Sequence, residues 1–273
     1  DVFQFRAPTG MGVYLIPYLS WFTQKPGWFK YAGNWVQANP PLGYRLQKLW
    51  LTTFNRRPVT INGRWPGQPA HCLSFENPCL DEADIAAGKV ALAQKNFNGK
   101  LDFCFVGRLE DAKGVRRILE AFRSVSSERI GTIHLVGDGP QRREYEQLAT
   151  NLPYPIVFHG FLDRTAINAI YAQSHLFLLP SDSEGFPKVL AEAMNFGCVP
   201  LVSDVSSIPQ YIQDGENGFL WKTNLSRFET VFQSIIAHMD QIDLNSMAIR
   251  AQQIAGKFTY QYYNQRICEL ILP

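Results

Sequence analysis

No run of residues in this 273-residue chain is long and apolar enough to cross a bilayer, and no secretory-leader pattern stands at its start. Cysteine is scarce: Cys72, Cys79, Cys104, Cys198 and Cys268 are odd in number and widely scattered. A disulfide framework is therefore not expected, and a reducing, cytoplasmic setting is. His71 precedes Cys72 and Cys79 follows. No further ligands come at short spacing, so these side chains are read as packing and no metal is expected. Charged residues make up 18% of the chain against 46% hydrophobic, which excludes a disordered or fibrous protein and leaves a globular one with a sizeable core. The initiator Met is missing too. The chain enters strand-like residues directly at Asp1, and an upstream segment is expected.

Acid is what the front of the chain lacks most. Residues 1–66 hold eight basic side chains (Arg6, Lys25, Lys30, Arg45, Lys48, Arg56, Arg57 and Arg64) against Asp1 alone. That stretch carries +7 and the remainder −5, within an overall +2. It is also crowded with rings, among them Trp21, Phe22, Trp28, Phe29, Tyr31 and Trp35. Basic charge mixed with amphipathic rings suits a surface of anionic lipid. A basic outer face over an aromatic core accounts for it equally well, and both readings stay open.

Two regions differ in character. Up to about residue 80 the chain is rich in Pro, Gly and aromatics, with extended runs at Asp1 to Arg6 and Trp28 to Tyr31. Within it, Leu42 to Leu51 has the apolar spacing of a helix. From residue 101 the pattern turns regular. Leu101 to Val106, Thr132 to Val136, Ile156 to Gly160, Leu176 to Pro180 and Val199 to Ser203 read as buried strands. The helices expected between them begin at Val115, Gln141, after Asp163, near Pro187 and after Ser206, and Phe258 to Leu272 reads as a closing helix. This alternation predicts an α/β fold: a doubly wound parallel sheet, Rossmann-like, covered on both faces. Such sheets bind ligands beyond the carboxyl ends of their strands, so chemistry is sought in the loops that follow them.

The strongest signal is the stretch from Ser183 to Met194. A strand ends at Pro180, Glu184 and Gly185 lie in the loop, and Phe186, Pro187, Lys188 and Val189 lead into a helix that carries Glu192. Pro187 suits the first turn of that helix, whose free N–H groups and dipole form an anion site. Glu192 stands among Val189, Leu190, Ala193 and Met194, a costly place for a carboxylate unless a hydroxyl-rich ligand such as a ribose diol pairs with it. The alternative is that Glu184 caps the helix and Glu192 pairs with a neighbouring cation. After the first strand, Gly107-Arg108 and Lys113-Gly114 set two cations between glycines, which suits a diphosphate. Glu110 and Asp111 leave room for a merely solvated loop. Gly137-Asp-Gly139-Pro140 fails as a dinucleotide fingerprint, because Arg142 stands where the third glycine belongs. It is read as a close turn near a ligand. His159-Gly160-Phe161-Leu162 puts a small residue and backbone groups where a base could lodge, with His159 either structural or in contact.

Taken in this order and spacing, these segments resemble the family 4 retaining glycosyltransferases of the GT-B fold, over about residues 100–221 and on through Asp214 to Leu220. The resemblance implies a partial N-terminal, acceptor-side lobe over 1–80, a nucleotide-sugar donor domain over 81–257 and a closing helix over 258–273. It implies that Arg108 and Lys113 hold the donor diphosphate and that Glu184 contacts the donor sugar. Amides from Gly185 to Val189 would bind sugar or phosphate, Glu192 the ribose, and Phe161 and Leu162 would border the base. Gly107, Gly137 and Gly139 complete the expected donor site. The nucleotide-diphosphate sugar is then a co-substrate, no separate cofactor or metal is required, and the acceptor is a glycan or a lipid-linked precursor. Two departures stand out: the family's Gly-rich loop near the N-terminus is not found, and Asn34 occupies the stretch where members often carry a histidine. A non-catalytic nucleotide-sugar-binding remnant and a GT-B nucleotide-sugar epimerase are the alternative readings.

Overall fold

The computed structural model describes residues 1–37 and 39–272. Its first unit runs β1 (Phe3–Ala7), α1 (Gly12–Trp21), β2 (Gly27–Tyr31), α2 (Leu42–Leu49), β3 (Val59–Ile61) and β4 (Cys72–Ser74). These four strands pair in parallel in the order β1-β2-β3-β4. Phe29, Tyr31, Val59 and Ile61 fill their common core with Ile16 and Leu51.

Helix α1 is absent from the reading of the sequence. Pro17 lies inside it and it has no charged residue, so neither a breaker-free run nor a polar face announces it. Helix α2 ends two residues earlier than expected. The chain then widens into a π-turn over Trp50–Phe54, where the Asn55 N–H reaches back to the Trp50 carbonyl at 3.0 Å.

The second unit begins with α3 (Glu82–Gln94) and continues β5 (Leu101–Val106), α4 (Val115–Arg123), β6 (Ile130–Val136), α5 (Arg142–Ala149), β7 (Ile156–Gly160), α6 (Arg164–Gln173), β8 (Leu176–Leu179), α7 (Lys188–Asn195), β9 (Val199–Ser203) and β10 (Phe219–Trp221). Then come α8 (Phe228–Ala237), α9 (Leu244–Ala255) and α10 (Tyr260–Leu270). The strands are six, all parallel, in the order β10-β9-β8-β5-β6-β7. The central strands β5, β8 and β9 are mostly apolar and buried, as a sheet covered by helices requires, whereas β7 at the edge is only partly covered. The expected helix after Ser206 is only a 3-10 turn, Ile208–Gln210. Pro187 sits one residue before α7, as its N-cap, and not within the first turn.

The strand order reverses between β5 and β8. Their following loops therefore diverge to opposite faces and leave a crevice at their mouths, the place where open α/β sheets take ligands. Arg108 and Lys113 follow β5, and Glu184 follows β8.

The closing helix is joined to the first unit as well as to the second. Tyr263 and Ile267 of α10 pack with Trp28 and Phe75 against the first sheet. Arg266 donates to Glu76 at 2.6 Å and to the Ser74 carbonyl at 2.8 Å. The Cys79 and Leu80 N–H groups both reach the Phe258 carbonyl, so both passages of the chain between the units run side by side. Pro273, the last residue of the expected closing segment, lies outside the described residues. No helix among the described residues is long and apolar enough to cross a membrane.

Candidate functional site

Beyond the ends of β5, β6 and β7 lies a hollow of about 660 Å³, lined by Gly107, Arg108, Gly137, Gly139, Phe161 and Leu162 together with Val106, Val136, Asp138, Pro140 and Ile167. Backbone bonds knit its floor: Gly107 N–H to Val136 O at 3.0 Å, Leu109 N–H to Asp138 O at 3.0 Å, and Gly137 N–H to Gly160 O at 2.8 Å. The strand ends come so close that a Cβ on Gly137, whose φ is +122°, would lie 1.9 Å from the Gly107 carbonyl oxygen. Glycine is needed there by packing alone. Phe161 stands at the rim with 83% of its surface exposed, so its ring face is open to a flat partner.

The charges of this hollow are only partly matched within the chain. Arg108 is largely exposed and lies 3.3 Å from Glu110. Arg142, at the failed fingerprint position, is taken up by Glu146 at 2.8 Å and Asp138 at 3.4 Å. His159 is structural in this arrangement. Its Nε2 lies 3.0 Å from His134 Nδ1, and burial pushes both imidazoles below their usual range.

Lys113 and Glu184 form the second cluster. The 3-10 turn Asp111–Lys113 is fixed from below, since Asp111 accepts from Arg116 (3.1 Å), Gln141 (2.9 Å) and the Tyr145 hydroxyl (2.8 Å). Across the switch point, Asp182 N–H bonds the Ala112 carbonyl at 2.9 Å, and Arg117 bridges the Pro180 carbonyl (2.9 Å) and Asp182 (2.5 Å). Gly114 closes the turn at φ +83°, where a Cβ would meet the Pro180 carbonyl at 2.2 Å. So clamped, Lys113 Nζ lies 2.7 Å from Glu184 Oε1, the carboxylate side chain only 9% exposed.

Gly185 to Val189 continue from this pair. Phe186 stacks on Phe258 with centroids 4.3 Å apart and leans on Tyr211, which pins the loop at the junction of the two units. Pro187 caps α7 without a side-chain bond, leaving the first N–H groups of Lys188 and Val189 unbonded within the helix. Glu192 lies one turn further on. It takes a long 3.5 Å bond from the Tyr171 hydroxyl. Burial raises its pKa, against the pull of Arg164 and Lys188 nearby.

The expected residues therefore fall into two adjoining groups. The hollow gathers Arg108, the glycines, Phe161 and Leu162. Lys113 meets Glu184 across the switch point, Gly185 to Val189 and Glu192 follow on from that pair, and none of these lines the hollow. Among the described residues no cluster of three or more His, Cys, Asp or Glu could hold a metal ion.

The opposite wall comes from the first unit and from the loop after β9. Asn34, after β2, donates to the Ser183 hydroxyl at 3.3 Å and accepts from that of Ser206 at 3.0 Å. Ser206 holds a φ of 52°, a left-handed geometry rare outside glycine and frequent at ligand sites. Ser207 donates to the Gly185 carbonyl at 2.9 Å, and Gln210 exchanges bonds with the Arg64 backbone. Asn62 faces the same loop, buried, with its Nδ2 unpartnered. A carboxamide just past each of two parallel strands, Asn34 after β2 and Asn62 after β3, is a signal only once the strands are known to face the second sheet.

Residues 91–248 match the family described as "Glycosyl transferases group 1". Among curated proteins, the chain is similar to a putative colanic acid biosynthesis glycosyltransferase, WcaL, of Salmonella typhimurium, at 30% identity over 63% of this chain and 45% of the relative. It is also similar to the sulfoquinovosyl transferase SQD2 of Arabidopsis thaliana, at 35% identity over 42% of this chain and 22% of the relative. It thus spans less than half the length of either. Among solved structures, Anabaena Alr3699/HepE in complex with UDP superposes with a TM-score of 0.74 at 20% identity, covering 97% of this chain and 77% of the other. Sucrose-phosphate synthase from Thermosynechococcus elongatus does so with 0.71 at 18% identity, covering 98% and 72%. These likenesses show a GT-B fold.

Proposed function

Because the chain belongs to the group 1 glycosyl transferases, we propose that it binds a nucleoside-diphosphate sugar at the β5/β8 switch point and transfers the sugar to a glycan or lipid-linked acceptor with retention at the anomeric carbon. The observation that carries this reading is the pairing of Lys113 with Glu184 across that switch point, at the approach to α7 and beside the hollow that Arg108 lines. The similarly folded Anabaena Alr3699/HepE, solved with UDP and with UDP-glucose, supports the donor class.

Cleaving the anomeric C–O bond leaves the sugar with oxocarbenium character and the diphosphate with added negative charge. Arg108, Lys113 and the α7 N–H groups stabilise that charge where it develops, without reorganisation. The acceptor hydroxyl attacks from the face the phosphate leaves, its oxygen forms the new bond, and its proton passes to the departing phosphate oxygen. No carboxylate nucleophile is needed, in contrast to a retaining glycosidase. Glu184, neutralised by Lys113, acts as a positioning group toward the sugar hydroxyls. Glu192 accepts from the ribose diol and Phe161 covers the base. In this reading residues 1–80 with the closing helix form the acceptor side and 81–257 the donor side.

The exposed face of α1 and α2 supports contact with an anionic membrane on the cytoplasmic side. Tyr14, Tyr18, Trp21, Phe22, Leu42 and Leu46 are all exposed there, with Lys25, Arg45 and Arg56 exposed nearby. Co-sedimentation with vesicles tests this part; equal retention by neutral and anionic vesicles removes it. The chemistry is tested by donor turnover in the presence of acceptor sugars, with NMR on the product anomer. Retention is the expected result. An inverted product, or binding without any transfer, overturns the catalytic reading.

A further inference from the structure

Next to Asn34 the first unit holds a pocket of about 330 Å³ lined by Tyr31, Asn34, Trp35, Tyr44, Arg45 and Lys48 among others. From Val2 to Phe75 the chain has no Asp or Glu at all. Arg45 and Lys48, three residues apart on α2, therefore share one helix face with no carboxylate from their own unit, and neither has an ion-pair partner among the described residues. Lys48 is not simply solvated. Its ammonium donates to the Trp35 carbonyl at 2.5 Å and lies 4.7 Å above the Trp35 ring. Burial lowers its pKa. A partly buried cation held by one carbonyl and a ring face is the half of a charge pair that an anion completes.

The remaining lining points to a sugar. Tyr31 and Trp35 are buried and meet edge-to-face at 5.0 Å, and Tyr44 adds a third amphipathic ring, the side chains that cover a sugar's C–H face while their polar tips reach its hydroxyls. The volume is near the lower end of the ~300–1,000 Å³ range of small-molecule sites, room for one ring with a charged substituent rather than a lipid chain. The pocket also opens beside the donor loop. Asn34 lines it and bonds Ser183, the residue before Glu184, and the Ala32 carbonyl lies 3.3 Å from where a Gly185 Cβ would stand.

We infer that this pocket is the acceptor subsite and that it selects a sugar bearing an anionic group, phosphate or carboxylate, held by Arg45 and Lys48. The inference rests on the proposed transfer of a sugar to a glycan acceptor. It is tested with the full chain by saturation-transfer NMR and competition, using glucose, glucose 6-phosphate, glucuronic acid and inorganic phosphate, with UDP binding measured in parallel. Glucose 6-phosphate or glucuronic acid binds at least tenfold more tightly than glucose, and the preferred one identifies the anion. Arg45→Gln, a change at an exposed position, and Lys48→Met each weaken that binding at least fivefold and leave UDP binding within twofold. Added salt weakens it as well. Equal binding of glucose and the charged sugars, phosphate alone as strong as the sugars, or charge variants without effect overturns the inference. If UDP binds while the anionic sugars do not, only the inference falls; if UDP also fails to bind, the donor-site reading falls with it.

Discussion

Lys113 and Glu184, 71 residues apart, meet at 2.7 Å across the point where the strand order of the second sheet reverses. The loop after β5 supplies the cation and the loop after β8 the carboxylate, so the pair measures whether the switch point is assembled. Lys113→Met leaves the covered Glu184 carboxylate without its partner and destabilises the fold by about 1–3 kcal/mol in chemical denaturation. Adding Glu184→Gln recovers most of that loss, because the uncompensated charge is gone. Equal and additive losses in the two single variants and their double contradict the coupling.

Gly137 is required by backbone proximity whatever the hollow binds. Gly137→Ala drives a methyl into the Gly107 carbonyl and destabilises the protein by about 2–3 kcal/mol. It also closes the floor under Arg108, so any nucleotide-induced thermal shift is lost with it. A variant of unchanged stability contradicts the packing described above.

Lys30 gives the protein a distinctive alkaline response. Burial, with Lys188 and Arg6 nearby, lowers its pKa to about 8, whereas in the unfolded chain it titrates near ~10.4. Between those values the unfolded chain holds the extra proton, so stability rises with pH through this window and the penalty is fully present below about 8. Lys30→Met is therefore more stable than the parent at pH 7, by an amount on the order of 1–3 kcal/mol less the lost contact with the Tyr263 ring. The difference shrinks toward pH 10. A gap that stays constant with pH excludes Lys30 as its source.

Glu192 shows the opposite slope. Burial raises its pKa, so between its unfolded value and the higher folded one the native state holds the extra proton, and stability falls as pH rises. Glu192→Gln melts at a higher temperature than the parent at neutral pH and at the same temperature in acid. If Glu192 takes the ribose diol as proposed, the variant also loses nucleotide-induced stabilisation at neutral pH. Stability without binding is what a ligand-binding carboxylate at a buried site should trade.

How much of this was legible in the sequence depends on what each element had to bury. Strands β5 to β9 are short apolar runs ended by glycine, proline or polar loops, and all five stand where the pattern put them. Helix α3 left no stripe because it meets α7 through small residues: it buries Gly88 and Ala91, and a Cβ on Gly88 would come within 2.3 Å of the Asn195 carbonyl. Helix α1 hid behind Pro17 and the lack of a polar face. For the site, residues set by local chemistry, such as Arg108, Lys113 and Glu184, could be named in advance. Asn62, Ser206 and Gln210 could not, because their role comes from the first sheet facing the second, and nothing local encodes that approach. Nor did spacing reveal that the glycine-lined hollow and the Lys113–Glu184 pair are neighbours with separate linings.

In the proposed function, Arg108 and Lys113 at the switch point hold a nucleoside diphosphate. The most direct test is isothermal titration of the protein with uridine, guanosine and adenosine diphosphate sugars, repeated on Arg108→Ala. At least one donor is expected to bind, and the variant to lose about 1.5–3 kcal/mol of that binding, the worth of a charge-assisted contact to phosphate. Absence of binding by all three classes, or binding that Arg108→Ala leaves unchanged, contradicts the proposal.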